Sequence, residues 1–290
     1  MKLAFNACCL SALVAFAALP PRAQAPVASP SAPPAVEQPA AQTAAPPAVP
    51  HRRYEPVAED FNSHDGYIQL FDGKSLADWE GDPKFWRVED GAIVGESTAE
   101  NRVQNTYIWR KGIVAHDFDL KLEIKCELNG GTGIQYRSHS GIPWTRPQPP
   151  DMTTSNLAWL LTGPQADFWS STTRGSKWFD GQVYSENTPL GIIAWRGEVV
   201  RISPGVDPML IGGVGKRDDL ETFIKPQDWN QYEVVARGGT LIHIINGHVM
   251  AILIDDDAAD SMNNSGYFGI ELEQFPSKVS VRNIWLKKLN

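Results

Sequence analysis

The sequence predicts an all-β fold, a single two-sheet antiparallel sandwich of the jelly-roll kind, and three observations predict it. Apolar runs are repeatedly short and are separated by Gly, Asn and Asp. Several runs alternate apolar and polar residues with the period of two that belongs to a half-buried strand. No long stretch carries the 3.6-residue period of an amphipathic helix.

The first 25 of the 290 residues lie outside that fold. Lys2, an apolar stretch centred on Leu10 to Leu19, and Ala23-Gln24-Ala25 have the order of a secretory signal, with cleavage expected after Ala25. The stretch is too short for a permanent span, and no later segment reaches the roughly 20 apolar residues a span needs. The mature chain is therefore expected to be exported, periplasmic or extracellular, with no membrane span. Cys8 and Cys9 precede the apolar stretch and leave with it, so no disulfide framework accompanies export. Residues 26–60 are rich in Ala and Pro and read as a disordered linker. The domain is assigned to residues 61–290.

Its strands are read in order. YIQLF (67–71), FWRVED (85–90), AIVGE (92–96) and TYIWR (106–110) come first. In DFDLKLEIKC (117–126), Phe118, Leu120, Leu122, Ile124 and Cys126 share one face, which makes Cys126 a buried small hydrophobe and not a nucleophile. TGIQYRS (132–138) follows. Residues 139–180 break the rhythm and read as a lid or rim over a groove. A second series runs through QVYSE (182–186), GIIAW (191–195), EVVRI (198–202), YEVVAR (232–237), TLIHIIN (240–246), HVMAILI (248–254), YFGIELE (267–273) and VSVRNIWLKKL (279–289). Asn246-Gly247 joins two of these runs as a hairpin, since both residues tolerate positive φ. Short turns of helix are expected near residues 226–229 and 256–262.

Charge excludes one class of partner. The chain carries 26 Lys plus Arg against 34 Asp plus Glu, and loss of residues 1–25 removes two cations and no anion, leaving 24 against 34 and a net −10. That is the wrong sign for wrapping a phosphate backbone, so nucleic acid is not an expected partner. No zinc signature, phosphate loop or nucleophile elbow is present, and the six His residues are scattered.

What remains is polar residues off the apolar face of strands. In 133–138, Ile134 and Tyr136 oppose Gln135 and Arg137; in 267–273, Phe268, Ile270 and Leu272 oppose Glu271 and Glu273. Two carboxylates side by side on a strand can ligate a cation, bind vicinal hydroxyls or raise one another's pKa. A solvated sheet face is the alternative that pattern alone leaves open.

Residues 70–101 (LFDGKSLADWEGDPKFWRVEDGAIVGESTAEN), 117–138, GPQADFW (163–169), GQVYSE (181–186), 228–251 and 279–289, in this order, resemble the 3-keto-disaccharide hydrolase domain family over nearly all of residues 65–290. The resemblance implies a concanavalin- or laminin-G-like jelly roll and cleavage of glycosides already oxidised to a ketone at carbon 3. It implies a carbohydrate substrate, a divalent cation as the one cofactor, and no organic cofactor.

Carried over by position, the family's segments fall on Gln135, Tyr136 and Arg137, on Gln165 and Asp167, and on Tyr184 and Glu186. By that position Asp167 is expected as base or metal ligand with Glu186 beside it; with the side-by-side carboxylates Glu271 and Glu273 from the strand pattern, the expected catalytic set is Asp167, Glu186, Glu271 and Glu273, and the expected metal ligands are Asp167, Glu271 and Glu273. The resemblance implies Gln135, Tyr136, Arg137, Gln165 and Tyr184 as substrate contacts, and Arg196 in AWRGE (194–198) and Glu96 in GEST are further candidate contacts by position. Pairing of Arg137 with Asp167, core packing of Tyr184 and capping of a turn by Glu96 are the plainer alternatives.

Two departures matter. A Gln and a following His common in the family's penultimate strand are Glu271 and Glu273 here, and an Arg-Gly after the acidic residue is Leu190-Gly191. His139 is a candidate replacement imidazole. A non-catalytic, lectin-like carbohydrate-binding module is the second reading, with Trp144, Trp159, Trp169 and Trp178 as stacking platforms.

Overall fold

The computed structural model describes residues 59–103, 105–128, 130–143, 157–169, 179–257, 261–273 and 276–289. The expected signal, most of the expected linker, Trp144 and Trp178 lie outside them. The chain divides into Met1–Pro56 and Val57–Asn290, and all the structure below belongs to the second unit.

Among the described residues, seventeen strands are divided between two sheets. They are β1 (Ile68–Gln69), β2 (Trp79–Glu80), β3 (Trp86–Glu89), β4 (Ala92–Ser97), β5 (Asn105–Arg110), β6 (Phe118–Leu128), β7 (Gly131–Ser140), β8 (Leu161–Trp169) and β9 (Val183–Glu186). Then come β10 (Gly191–Ala194), β11 (Glu198–Ser203), β12 (Val206–Gly213), β13 (Asn230–Arg237), β14 (Thr240–Ile245), β15 (His248–Asp255), β16 (Tyr267–Glu273) and β17 (Ser277–Lys288). One sheet runs β12-β11-β15-β14-β13-β6-β17-β4-β3, with β1 also on β17; the other runs β10-β9-β8-β7-β16-β5-β2. Neighbours are antiparallel except β11 and β15. The chain is thus the all-β, two-sheet jelly-roll sandwich that its alternating runs predict.

The core lies between the sheets. Phe118, Leu120, Leu122, Ile124 and Cys126 of β6 face Tyr136, Phe168 and Phe268 of the other sheet, and all are buried. Each fully buried side chain of this size contributes about 1.5–3 kcal/mol. The Cys126 thiol is buried in the core, its Sγ 3.3 Å from the Gly130 carbonyl oxygen. The hairpin at Asn246-Gly247 forms with φ of 49° and 79°.

Three expectations need correction. Residues 139–180 are not one irregular insertion, because β7 continues to Ser140 and β8 is a central strand within the segment. Gly163-Pro164 hides β8 from a pattern search. Gln165 pairs with Gln135 and Thr162 with His139, so two residues of β8 oppose three of β7, and the N–H that Pro164 lacks falls in this bulge. The short helix lies at α1 (Arg217–Glu221), ahead of the turn at 226–229. YIQLF contributes only the two-residue β1. A 3-10 turn at Ser261–Asn263 lies at the end of the other expected helical stretch.

Candidate functional site

On the seven-stranded sheet, the face turned away from the core carries a row of polar side chains. Register brings them together: Glu271 pairs with Tyr107, Gln135 with Gln165, Gly133 with Asp167, and Gln165 with Tyr184. Gln135, Gln165, Asp167, Glu186 and Glu271 are all buried. Their strands adopt this arrangement because the alternate positions, Ile108, Ile134, Ala166, Phe168, Val183 and Ile270, are buried in the intersheet core.

Gln165 is the centre of the cluster. Its side-chain nitrogen donates to Asp167 Oδ1 and to Glu271 Oε2, each at 2.7 Å, so one amide group supplies one N–H to each carboxylate. Its oxygen accepts from the Gln135 amide, and the Gln135 oxygen accepts from Ser138 Oγ at 2.6 Å. This chain fixes which way both amides point. Glu271 also accepts from the Asn105 amide and from the Tyr107 hydroxyl at 2.9 Å, and Asp167 also accepts from the Gln182 amide. All these donors are neutral.

The electrostatics follow from that choice. Burial pushes the Asp167 carboxyl well above the usual carboxylate range, the negative charge of Glu271 pushes it further, and two amide N–H groups oppose the shift. Burial and the charges of Glu186 and Glu271 hold the Tyr107 hydroxyl protonated, as its donation to Glu271 requires. Two glycines make the approach of these groups feasible. A Cβ on Gly133 would lie 2.3 Å from the Gln165 side chain, and one on Gly131 would lie 2.5 Å from the Trp169 ring and 2.6 Å from Glu273 Oε2.

Of the residues singled out in the sequence, Asp167, Glu271, Gln135 and Gln165 meet directly. Glu186 lies on the same face through β9, opposite Gly163, and its carboxylate accepts from the Asn187 N–H at 3.1 Å. Tyr184 lies beside Gln165 and Glu273 beside Trp169.

Five residues are placed elsewhere. Tyr136 points into the core, where its hydroxyl meets His243 Nε2 at 2.7 Å. Arg137 does not share the face of Gln135, because the β7 bulge and its own φ of 49° break the alternation. Its buried guanidinium donates to the backbone oxygens of His116 at 2.7 Å and Gly238 at 2.8 Å, and its nearest acid is Asp117 at 3.5 Å. Arg196 is a buried clamp that donates to the carbonyls of Asp180 and Arg217 and to Glu221 at 3.2 Å. Glu96 pairs with Arg87 at 2.8 Å on the ten-stranded sheet. His139 pairs with Thr162 beyond the bulge.

Asn105, Tyr107, Gln182 and Ser138 are the members that sequence reading misses. Tyr107 alternates with Ile108, which is a signal for the polar face, but only strand register reveals Glu271 as its partner.

The donor set bears on the expected cation. Among the described residues, no three His, Cys, Asp or Glu side chains gather as a metal cage. The oxygens of Asp167 and Glu271 already accept from N–H and O–H groups, which a divalent ion would have to displace. This arrangement does not fit an ion held jointly by Asp167, Glu271 and Glu273.

Comparison with known proteins adds the following. The domain family described as 3-keto-alpha-glucoside-1,2-lyase-like matches residues 66–287. A Bacillus subtilis protein of unknown function with a galectin-like fold is 12% identical with a TM-score of 0.50, covering 77% of this chain and 94% of that one. Two Parabacteroides distasonis ATCC 8503 proteins, provisionally assigned as glycosyl hydrolases, are also similar. One is 20% identical, with a TM-score of 0.45 and coverage of 78% and 95%. The other is 17% identical, with a TM-score of 0.47 and coverage of 77% and 99%. No curated protein matches the chain.

Proposed function

This chain belongs to the 3-keto-alpha-glucoside-1,2-lyase-like domain family, and from that premise we propose that it is an exported enzyme cleaving the glycosidic bond of 3-keto-glycosides. Membership makes it a carbohydrate-active protein. The observation that carries the finer reading is the pair of buried carboxylates, Asp167 and Glu271, joined through the single Gln165 amide.

A ketone at C3 acidifies the C2 proton. In this reading Asp167, whose proton affinity is raised by burial and by Glu271, takes that proton. The C2–H electron pair moves onto the C3 oxygen as an enolate. The enolate collapses to a C1–C2 double bond, and the C1–O bond breaks towards the leaving group. Protonated Asp167 then returns its proton to the departing oxygen. Glu271, which accepts from three neutral donors, adds the negative charge that keeps the Asp167 carboxyl basic. Water added to the enone completes a hydrolysis; without that step the enzyme is a lyase. Glu186 and Glu273 flank the pair, and Gln135 and Tyr184 lie on the same face as hydroxyl-binding groups.

The test is incubation of the full exported chain with a 3-keto-glucoside bearing a chromogenic aglycone, following aglycone release and enone absorbance. Asp167→Asn and Glu271→Gln should each lower turnover by about 10²–10⁴-fold with an unchanged melting temperature. Full activity in either variant would overturn its assigned role. The divalent cation enters as a variable: loss of release on chelation, restored by added metal, would add an ion to the site. Absence of release, with binding of unoxidised glycan, would make the chain a carbohydrate-binding module.

A further inference from the structure

We propose that Trp169 and Glu273 form a ring-binding subsite that holds the leaving group of the reaction, a six-membered ring with a hydroxyl at its edge. The subsite rests on the reading of Asp167 as the base at C2. β8 and β16 both run antiparallel to β7. Trp169 and Glu273, each two residues beyond a member of the carboxylate pair, therefore stand in the next row of the same face. Asp167 and Glu271 are buried, whereas Trp169 and Glu273 are half-exposed, so the polar face opens to solvent at this row.

The indole of Trp169 lies face down on the sheet. A Cβ on Gly131 would meet Trp169 Cε2 at 2.5 Å and Cδ2 at 2.6 Å. These are the atoms shared by the two rings, and only an approach to the ring face reaches both so closely. One face therefore rests on the Gly131 backbone and the other is turned away from the sheet. The Trp169 N–H donates to Asp180 at 2.6 Å, and the Phe179 ring, itself stacked on Trp195, lies 5.0 Å from the indole at a tilt of 46°. Trp109 and Trp159 donate their indole N–H groups to the Ala158 carbonyl and the Glu80 carboxylate, but that of Trp169 has no partner among the described residues. The same Cβ position is 2.6 Å from Glu273 Oε2, which places a carboxylate at the edge of the platform. Such a pair accepts the face of a ring on the indole and a hydroxyl from its rim on the carboxylate.

Stereochemistry selects the leaving group as the occupant. The C2–H bond must stand across the plane of the C3 ketone for its electrons to enter the enolate, so Asp167 lies beneath the face of the 3-keto ring. A side chain two residues further along a strand is displaced by about 6.6 Å. That displacement carries Trp169 out from under the reacting ring and beneath the group joined to it through the C1–O bond.

The test gives the full exported chain 3-keto-glucosides whose leaving groups are glucose, phenol and methanol, and compares kcat/KM for the two ring-bearing substrates with that for the methyl one. Saturation-transfer NMR with maltose, phenyl glucoside and methyl glucoside reads the same preference as binding, without turnover. The expected result is a preference for a ring that falls at least about tenfold in Trp169→Ala, mainly through KM, and is largely kept in Trp169→Phe. Gly131→Ala, which pushes the indole off the sheet, should reproduce the loss with Trp169 still present, and it keeps the test readable if Trp169→Ala does not fold. Either order of preference supports the subsite, glucose first marking a sugar and phenol first an aromatic aglycone. A parent with no preference for a ring overturns the proposal, as does a preference unchanged in both variants or an equal loss on all three glycosides. Trp169-dependent binding of rings without release from any 3-keto-glucoside would support the subsite and overturn the assignment of Asp167 as the C2 base.

Discussion

Each sheet of the sandwich carries a pair of carboxylates drawn from solvent, nearly completely in Asp167 and Glu271 and less so in Asp119 and Glu233, and the two pairs are built from opposite partners. On the seven-stranded sheet, Asp167 and Glu271 are held by amides and a hydroxyl. On the outer face of the ten-stranded sheet, Asp119 and Glu233 flank Lys121, whose side chain is only 1% exposed. Lys121 Nζ lies 3.6 Å from Glu59 and 4.9 Å from the centre of the Tyr67 ring, while the Tyr67 hydroxyl donates to Asp119 at 2.7 Å. A central cation compensates the second pair and ties the segment around residues 59–67 to the sheet. Neutral donors leave the first pair's charge uncompensated by its named partners, so the position of its proton depends on small changes nearby. Structural attachment calls for a cationic partner, and proton transfer for neutral ones.

The sharpest way to break this contrast is to turn one pair into the other. Gln165→Lys would put a cation between Asp167 and Glu271 and favour ionisation of both. Turnover on a 3-keto-glycoside should fall at least about 100-fold, and the acid limb of the pH–rate profile should move to lower pH. A profile that stays in place would mean that Asp167 is not the group exchanging the proton.

The next effect is on stability. Arg196 joins the carbonyl of Asp180 to α1, and the Asp180 carboxylate accepts from the Trp169 N–H at 2.6 Å at the end of β8. Burial pushes the Asp180 carboxyl up to about 7 even with Arg196 lowering it. Arg196→Ala leaves that carboxyl buried without its cation, and denaturant unfolding should show a loss of about 3–5 kcal/mol. A loss below about 1 kcal/mol, typical of exposed pairs, would show that the clamp is dispensable.

Legibility in the sequence followed the regularity of the backbone. β6 and β16 alternate without interruption, so Cys126 reads as core and Glu271 and Glu273 read as neighbours on one polar face. Arg137 and β8 were illegible for a shared reason. The bulge in β7 and the glycine-proline step opposite it each break the period of two, so alternation put Arg137 on the wrong face and left β8 looking like a loop. Arg196 misled differently, since a polar residue in a loop-like AWRGE carries no mark that distinguishes a buried clamp from a ligand contact. The amide relay from Ser138 through Gln135 to Gln165 depends on register across three strands, which no single run of residues encodes.

The smallest expected effect tests the compensated pair. Burial and the Asp119 charge raise the Glu233 carboxyl from 4.5 to about 7 in the folded protein, against the opposing pull of Lys121. The unfolded chain gives up this proton near 4.5, so between 4.5 and about 7 the folded state holds more protons than the unfolded one. The stabilising contribution is therefore complete below the unfolded value and is lost as pH rises through 7. Glu233→Gln cannot ionise and escapes that loss. Its melting temperature should exceed that of the parent by roughly 2–4 °C at pH 8, the shift that about 1 kcal/mol produces in a domain of this size. At pH 4 the difference should vanish. An advantage of the same size at both pH values would assign the effect to packing of the amide and remove the proton linkage from Glu233.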